Sequence, residues 1–468
     1  MASGPSSDSV ESLPRRKGAK NNNYPRMSKT VLAAYGSLAF PLAAAFIALQ
    51  VIVPTFYAEN TALSLSAIGG LLLLARLCDT LTDPLVGYWS DHSIIRFGRR
   101  KIFVVVAAPL IAISVWFLFN PVAGAGGAYL LFWTIAIYVA GTLSIVPASA
   151  WAAELSPDYN NRSLITGVRV AFGLAGTMAA LIVPALLASE SSDSLGSTLN
   201  VITIIVLVTL AISTLWAAVS VPDTARTTLP ANSISAAWEL MKSPNPFRQL
   251  LVSFLLNAVA NAIPATLFLL FVTHVLGKPE QAGVFLFLYF ICAAAAVPFW
   301  VAMSRRFGKH ETWSFAMLLA CVFFVWTPFL GPDTVFWFYV IVVATGFTTG
   351  ADLALPSSIN ADVIEWDALN SGYTRPGLFF ALWGTASKLS YALAIGIAFP
   401  LLDLAGFSAA AQNSGSPLVW LAILYGGPCI VFKLAAIWTM RRYPITEAVH
   451  ADILRQLEER DMVTDQAH

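Results

Sequence analysis

The chain has 468 residues, of which 57% are hydrophobic and 11% charged. A soluble globular domain carries about a quarter of its residues as charge, so a soluble enzyme or nucleic-acid binder is excluded and an integral membrane protein is left. The near-balance of 27 Lys and Arg against 26 Asp and Glu, net +1, conceals an uneven placement of the basic residues.

Residues 1–28 are polar and carry Arg15, Arg16 and Lys17, and are expected to form a disordered tail. A twin-arginine export signal would need an apolar run soon after the arginines, but a polar Gly18–Tyr24 stretch follows instead. Twelve segments of membrane-spanning length then follow. They lie near 31–57, 63–90, 102–121, 128–153, 163–188 and 199–221, and near 248–276, 280–303, 312–331, 334–366, 376–404 and 416–441. Arg96, Arg99, Arg100, Lys101, Arg162, Arg226, Lys242, Arg248, Arg305, Arg306, Lys309, Arg375, Arg441 and Arg442 all fall in the loops of one side. The opposite loops hold Glu59, Glu190, Asp193 and Asp403, with Lys278 as the exception. The positive-inside rule therefore places both termini in the cytoplasm of a multi-pass cytoplasmic (inner) membrane protein.

A polar linker, residues 222–247, separates a first half, 29–221, from a second, 248–441, and a tail, 442–468, follows. The halves resemble each other. Arg96-Phe-Gly-Arg-Arg and Arg306-Phe-Gly-Lys-His lie 210 residues apart, and Gly141-x5-Pro147-x-Ser and Gly350-x5-Pro356-x-Ser lie 209 apart. Two matches at nearly one offset predict an all-α protein of twelve transmembrane helices in two pseudo-symmetric six-helix halves, with substrate bound between them. In the tail, Val449, Ile453, Leu454 and Leu457 fall at helical spacing among charges, which predicts an amphipathic helix with no assigned function.

Inside the second apolar segment stand Arg76, Asp79 and Asp83, at spacings that put them on one helix face with Thr82 beside them. A charge at that depth costs roughly 3 kcal/mol on insertion scales, so such groups line an interior cavity or meet a partner. Two carboxylates one turn apart, with a hydroxyl, suit a hard cation or a shared proton. The structural alternative is that Arg76 neutralises one of them. Asp83 precedes Pro84, whose missing N–H loosens the helical ladder and can expose a carbonyl. Lys388 lies near the middle of segment eleven and needs Asp79, Asp83 or an anionic part of a substrate as partner. Asp352 in segment ten and Arg169 in segment five complete the interior charges, which can equally form an ion-pair network joining the halves. Trp151, Trp366 and Trp383 are candidate stacking platforms, with packing as the plain alternative.

Asp91, Arg96, Arg99 and Arg100 at the end of segment two, Glu154 and Arg162 after segment four, and Asp362 and Arg375 after segment ten are expected to gate the cavity through exchangeable ion pairs. Cys78, Cys292, Cys321 and Cys429 lie in apolar segments and are packing residues. No phosphate-binding glycine loop and no metal-ligand spacing is present, which argues against ATP-driven transport and membrane-bound hydrolysis.

Two stretches, Ala75-Arg-Leu-Cys-Asp-Thr-Leu-Thr-Asp-Pro-Leu-Val-Gly87 with its Arg-Phe-Gly-Arg-Arg-Lys loop and Ala361-Asp-Val-Ile-Glu-Trp-Asp367 followed by Arg375-Pro-Gly and Lys388, resemble the glycoside-pentoside-hexuronide:cation symporters. These are the melibiose permease-like branch of the major facilitator superfamily. The resemblance implies that Asp79, Asp83, Thr82 and Thr142 bind the cation, Na⁺ if that is the ion. It implies that Arg169 and Lys388 line the central cavity, with Asp352 as a polar contact from the other half; Arg76 and Trp383 are further substrate-site candidates. The family's sugar-binding aspartates in helices one and four have no counterpart, because Pro41 or a neighbour and Ile145 stand there.

The expected function is cation-coupled symport, by Na⁺ or H⁺, of a sugar, glycoside or related small polar solute. The protein is expected to be a monomer in membrane lipid, with no cofactor beyond the coupling cation and no nucleic-acid partner. Carriage of an amphipathic lipid, or export, is the alternative within the class; a non-transporting membrane receptor or assembly factor is the alternative outside it.

Overall fold

The computed structural model describes residues 28–92, 100–155, 159–187, 195–222, 241–242, 245–371, 376–409, 413 and 415–466. Twelve long helices dominate them: α1 (Lys29–Asn60), α2 (Leu65–His92), α3 (Lys101–Phe119), α4 (Gly127–Leu155), α5 (Tyr159–Leu187), α6 (Leu195–Ser220), α7 (Pro246–Leu270), α8 (Ala282–Phe307), α9 (Lys309–Phe324), α10 (Val335–Ser371), α11 (Pro376–Leu404) and α12 (Ser416–Met440). A shorter amphipathic α13 (Glu447–Gln466) follows. Eleven of the twelve are long and apolar enough throughout to cross a membrane. In α5 the apolar stretch among the described residues is Gly167–Ile182.

Prolines bend these helices without ending them, since neighbouring helices shelter the carbonyls that proline leaves unpaired. α1 is interrupted at Leu38, where the ring of Pro41 cannot accept the helical path past the Ser37 carbonyl. Pro54 in α1 and Pro264 in α7 stand 210 residues apart, the offset that relates the two halves. α10, at 37 residues, is about 55 Å long and must project well beyond a hydrocarbon layer of about 30 Å. Its C-terminal turns, which carry Asp362 and Glu365, therefore stand clear of the membrane on the side of the basic loops.

The buried side chains show how the halves are arranged. Away from the basic loops, a single core joins them: Leu49, Val53 and Tyr57 of α1, Ile68 and Leu72 of α2, Ile263 and Leu267 of α7, and Ile395 and Phe399 of α11 belong to one cluster. Close approach there depends on glycine, since a Cβ on Gly69 would meet the Phe399 side chain at 3.1 Å and one on Gly396 would meet Leu73 at 3.0 Å. Toward the basic loops the core divides. Leu32, Tyr35, Val104, Trp151 and Ile165 form one cluster within the first half, and Phe247, Trp300, Trp313, Leu355 and Phe379 form another within the second. The halves thus meet at one end, along the helix pairs α1–α7, α2–α11 and α5–α8, and part at the other.

Candidate functional site

Halfway along α2, the face defined by Arg76, Asp79 and Asp83 turns toward α4 and α11. Asp79 is 2% exposed and Arg76 8%. The Lys388 ammonium of α11 lies 3.0 Å from Asp79 Oδ1 and 2.7 Å from Asp83 Oδ1, and so bridges the two carboxylates across the half junction. Thr142 of α4 reaches the same two oxygens at 3.0 and 2.9 Å. Arg76 closes the cluster from the opposite side, with its guanidinium 3.3 Å from Asp79 Oδ2 and 4.6 Å over the Tyr138 ring. The ring of Tyr391 from the other half lies 5.9 Å from the same guanidinium.

Two carboxylates and two cations leave the cluster neutral, which is what burial near a bilayer midplane demands. The two acids are nevertheless inequivalent. Asp79 has both oxygens engaged and is enclosed, whereas the Asp83 side chain is 29% exposed and is met at Oδ1 by Lys388 and Thr142. The ammonium bridges the Oδ1 atoms of both carboxylates.

Other candidate residues take different roles. The Thr82 hydroxyl donates to the Asp79 carbonyl at 2.8 Å, a bond within its own helix, and does not join the carboxylate cluster. Arg76 is a buried countercharge to Asp79. Arg169 donates to Ser149 Oγ at 2.9 Å inside the first half. Trp383 stacks on Phe254, ring centroids 3.8 Å apart, and Trp151 is fully buried with its indole N–H on the Pro222 carbonyl. Trp366 packs against the core of the second half.

Asp352 departs furthest from its expected place. It accepts from Asn257 at 2.9 Å, Asn261 at 2.8 Å and Trp313 at 2.7 Å, with Lys433 at 3.7 Å. Lys433, 2% exposed, also donates to Asn257 Oδ1 at 2.8 Å. One carboxylate therefore ties α7, α9, α10 and α12 together as an internal knot. The sequence signals for this knot were a lone lysine in the apolar run of α12 and Asn257 and Asn261 one turn apart in α7. Asp352→Asn is expected to strand the Lys433 charge and lower stability by about 3–5 kcal/mol, the cost of breaking a buried pair. Thermal unfolding of the purified protein measures it; an unchanged Tm would show that the knot carries no such weight.

Of the proposed gating residues, Arg100 is buried and donates to Ser90 Oγ at 2.7 Å, so it fastens the start of α3 to the end of α2. Asp362 pairs with Lys309 at 2.7 Å and with His450 of α13 at 3.5 Å. The side chains of Asp91, Glu154 and Arg162, and the whole of Arg96, Arg99 and Arg375, lie outside the described residues. Although the sequence shows no metal-ligand spacing, the fold does gather Asp362, Glu365 and His450 into one group. The four cysteines are free thiols.

Two six-helix bundles, joined at one end and holding an inter-half ion-pair cluster at mid-depth, have the architecture of a membrane transporter. The chain belongs to the family of MFS/sugar transport proteins, whose model matches residues 34–447, and it is a multi-pass transporter of the major facilitator superfamily. Among its relatives, sodium-dependent lysophosphatidylcholine symporter 1 of Xenopus tropicalis is 25% identical over 449 residues, covering 84% of this chain and 81% of the relative. Sphingosine-1-phosphate transporter MFSD2B of the same organism is 26% identical over 414 residues, 80% of each chain. A crystal structure of a variant of nucleoside transporter NupG matches in fold with a TM-score of 0.66 at 14% identity, covering 87% of this chain and 98% of that one. All are transporters, not enzymes. The narrower resemblance to the melibiose permease branch is not what these relatives favour.

Proposed function

We propose that the chain is a cation-coupled symporter, driven by Na⁺ or H⁺, whose solute is an amphipathic lipid with an anionic headgroup. The observation that carries this reading is the Lys388 ammonium held between Asp79 and Asp83. When a cation takes that place, Lys388 is released as an uncompensated charge at mid-depth and needs an anion. A phosphate-bearing headgroup supplies it, so cation and solute each make the other's site favourable, which is the differential affinity that coupling requires. α2 and α11 form one seam of the half junction, and α2 turns Leu74, Leu81, Leu85 and Trp89 outward on its far side from Asp79 and Asp83.

Two of the relatives are named for lysophosphatidylcholine and sphingosine 1-phosphate, solutes of this chemistry. The sugar reading rests on the family description, but the positions that would hold sugar-binding carboxylates carry Pro41, which is buried, and Ile145. On this proposal the basic loops are cytoplasmic, the protein lies in the cytoplasmic membrane with both termini inside, and the cavity is open inward.

Purified full-length protein in proteoliposomes with an inward Na⁺ or H⁺ gradient is expected to take up a fluorescent lysophospholipid and to ignore galactosides. A galactoside that is accumulated, and that protects against thermal unfolding by about 2.7 kcal/mol at a hundredfold its Kd, would replace the lipid reading by the sugar one.

A further inference from the structure

α13 follows α12 through a short link whose Tyr443 and Ile445 are buried in the core of the second half, and it packs against α10. Its Ile453 is buried, and His450 Nε2 meets Glu365 Oε2 at 2.5 Å and Asp362 Oδ1 at 3.5 Å. On the far side of Asp362, the Lys309 ammonium of α9 touches both carboxylate oxygens at 2.7 Å. The groups that face His450 are thus Lys309 from α9 and Asp362 and Glu365 from α10, with Glu447 one turn away on α13 itself. Because Lys309 already engages both Asp362 oxygens, the cluster works as an ion-pair junction and not as a metal centre. With a neutral imidazole, Lys309, Asp362 and Glu365 sum to one negative charge; with a charged imidazole the group is neutral.

This junction sits at the projecting end of α10, on the side where the two cores have separated. Closing that side requires the ends of the second half to approach the basic loops of the first. Asp362 and Glu365 are then the acidic groups of α10 available to reach across, and here both are held within their own half. We propose that α13 is a proton-responsive latch: charging of His450 pins the helix to α10, keeps Asp362 and Glu365 from crossing to the first half, and so holds the cavity open on the basic-loop side. The latch is independent of which solute is carried.

The test uses the full-length protein in nanodiscs and hydrogen exchange at pH 5.5 and pH 8, corrected for intrinsic exchange rates. In the wild type, acid is expected to slow exchange across 447–466 by about two- to fivefold, the range for a partly exposed charge pair. It is expected to speed exchange in the starts of α5 and α11. His450→Gln, whose fold is verified by an unchanged Tm, is expected to abolish both pH responses, and Glu365→Gln to weaken them. Responses that survive in His450→Gln, or a wild-type tail whose corrected exchange is the same at both pH values, would overturn the latch. Lysophospholipid uptake is a separate readout, so failure of the solute assignment leaves this result interpretable.

Discussion

Asp83→Asn is expected to abolish ion-driven accumulation of solute while leaving the fold standing. In the wild type, Asp79 and Asp83 balance Arg76 and Lys388; removing the Asp83 charge leaves the cluster with one positive charge, which repels an incoming cation and gives Lys388 a single acidic partner. A charge-assisted contact of about 3 kcal/mol corresponds to a loss of roughly a hundredfold in cation affinity. Asp83 is partly open to the cavity, so the thermal stability of this variant should change little. Asp79→Asn differs, because it strands the buried Arg76 guanidinium and is expected to cost about 3–5 kcal/mol of stability in addition to transport. Uptake into proteoliposomes under an imposed gradient, with Tm measured alongside, separates the two variants. Full accumulation in Asp83→Asn would end the assignment of this carboxylate to coupling.

The second large effect concerns Lys388. If lysine and cation compete for the same two oxygens, Lys388→Gln removes the competitor and leaves a cluster with one negative charge, so the driving cation should bind more tightly, by about tenfold or more. Transport should nevertheless fail, since the group that answers the anionic headgroup is gone. The distinguishing result is therefore a rise in cation affinity, from Na⁺ and pH titrations of thermal stability, together with a loss of uptake. Weaker cation binding in Lys388→Gln would show that the lysine supports the site as a scaffold and does not contest it.

Much of this site was legible because charge in an apolar run is expensive. The spacing of Arg76, Asp79 and Asp83 fixed their common face on α2, and the lone Lys388 required an acidic or anionic partner. The protein partners of Arg76 and Asp352 were not legible for one reason: periodicity shows that a charge is interior, not which neighbour meets it. Arg76 finds Asp79 one turn away and Tyr138 on α4, and Asp352 is claimed by Asn257 and Asn261 from α7, more than ninety residues earlier in the chain. Thr82 was placed by adjacency on the helix, yet a threonine hydroxyl in a helix readily turns back to its own backbone, as this one does. His450 gave no sequence signal at all, because a histidine on an exposed amphipathic helix is unremarked until that helix docks.

What the sequence determined by itself is the membrane fold. Segment length, apolar composition, alternation of basic loops and a repeat near 210 residues are local or periodic properties, and the bilayer permits few other ways to satisfy twelve such segments. What tertiary structure decided is the pairing of the interior charges and the side on which the halves part. Ion pairs between α2 and α11, or between α13 and α10, join positions far apart in the chain, and the energy of a buried charge depends on the atoms within a few ångströms of it, a distance that sequence order does not encode.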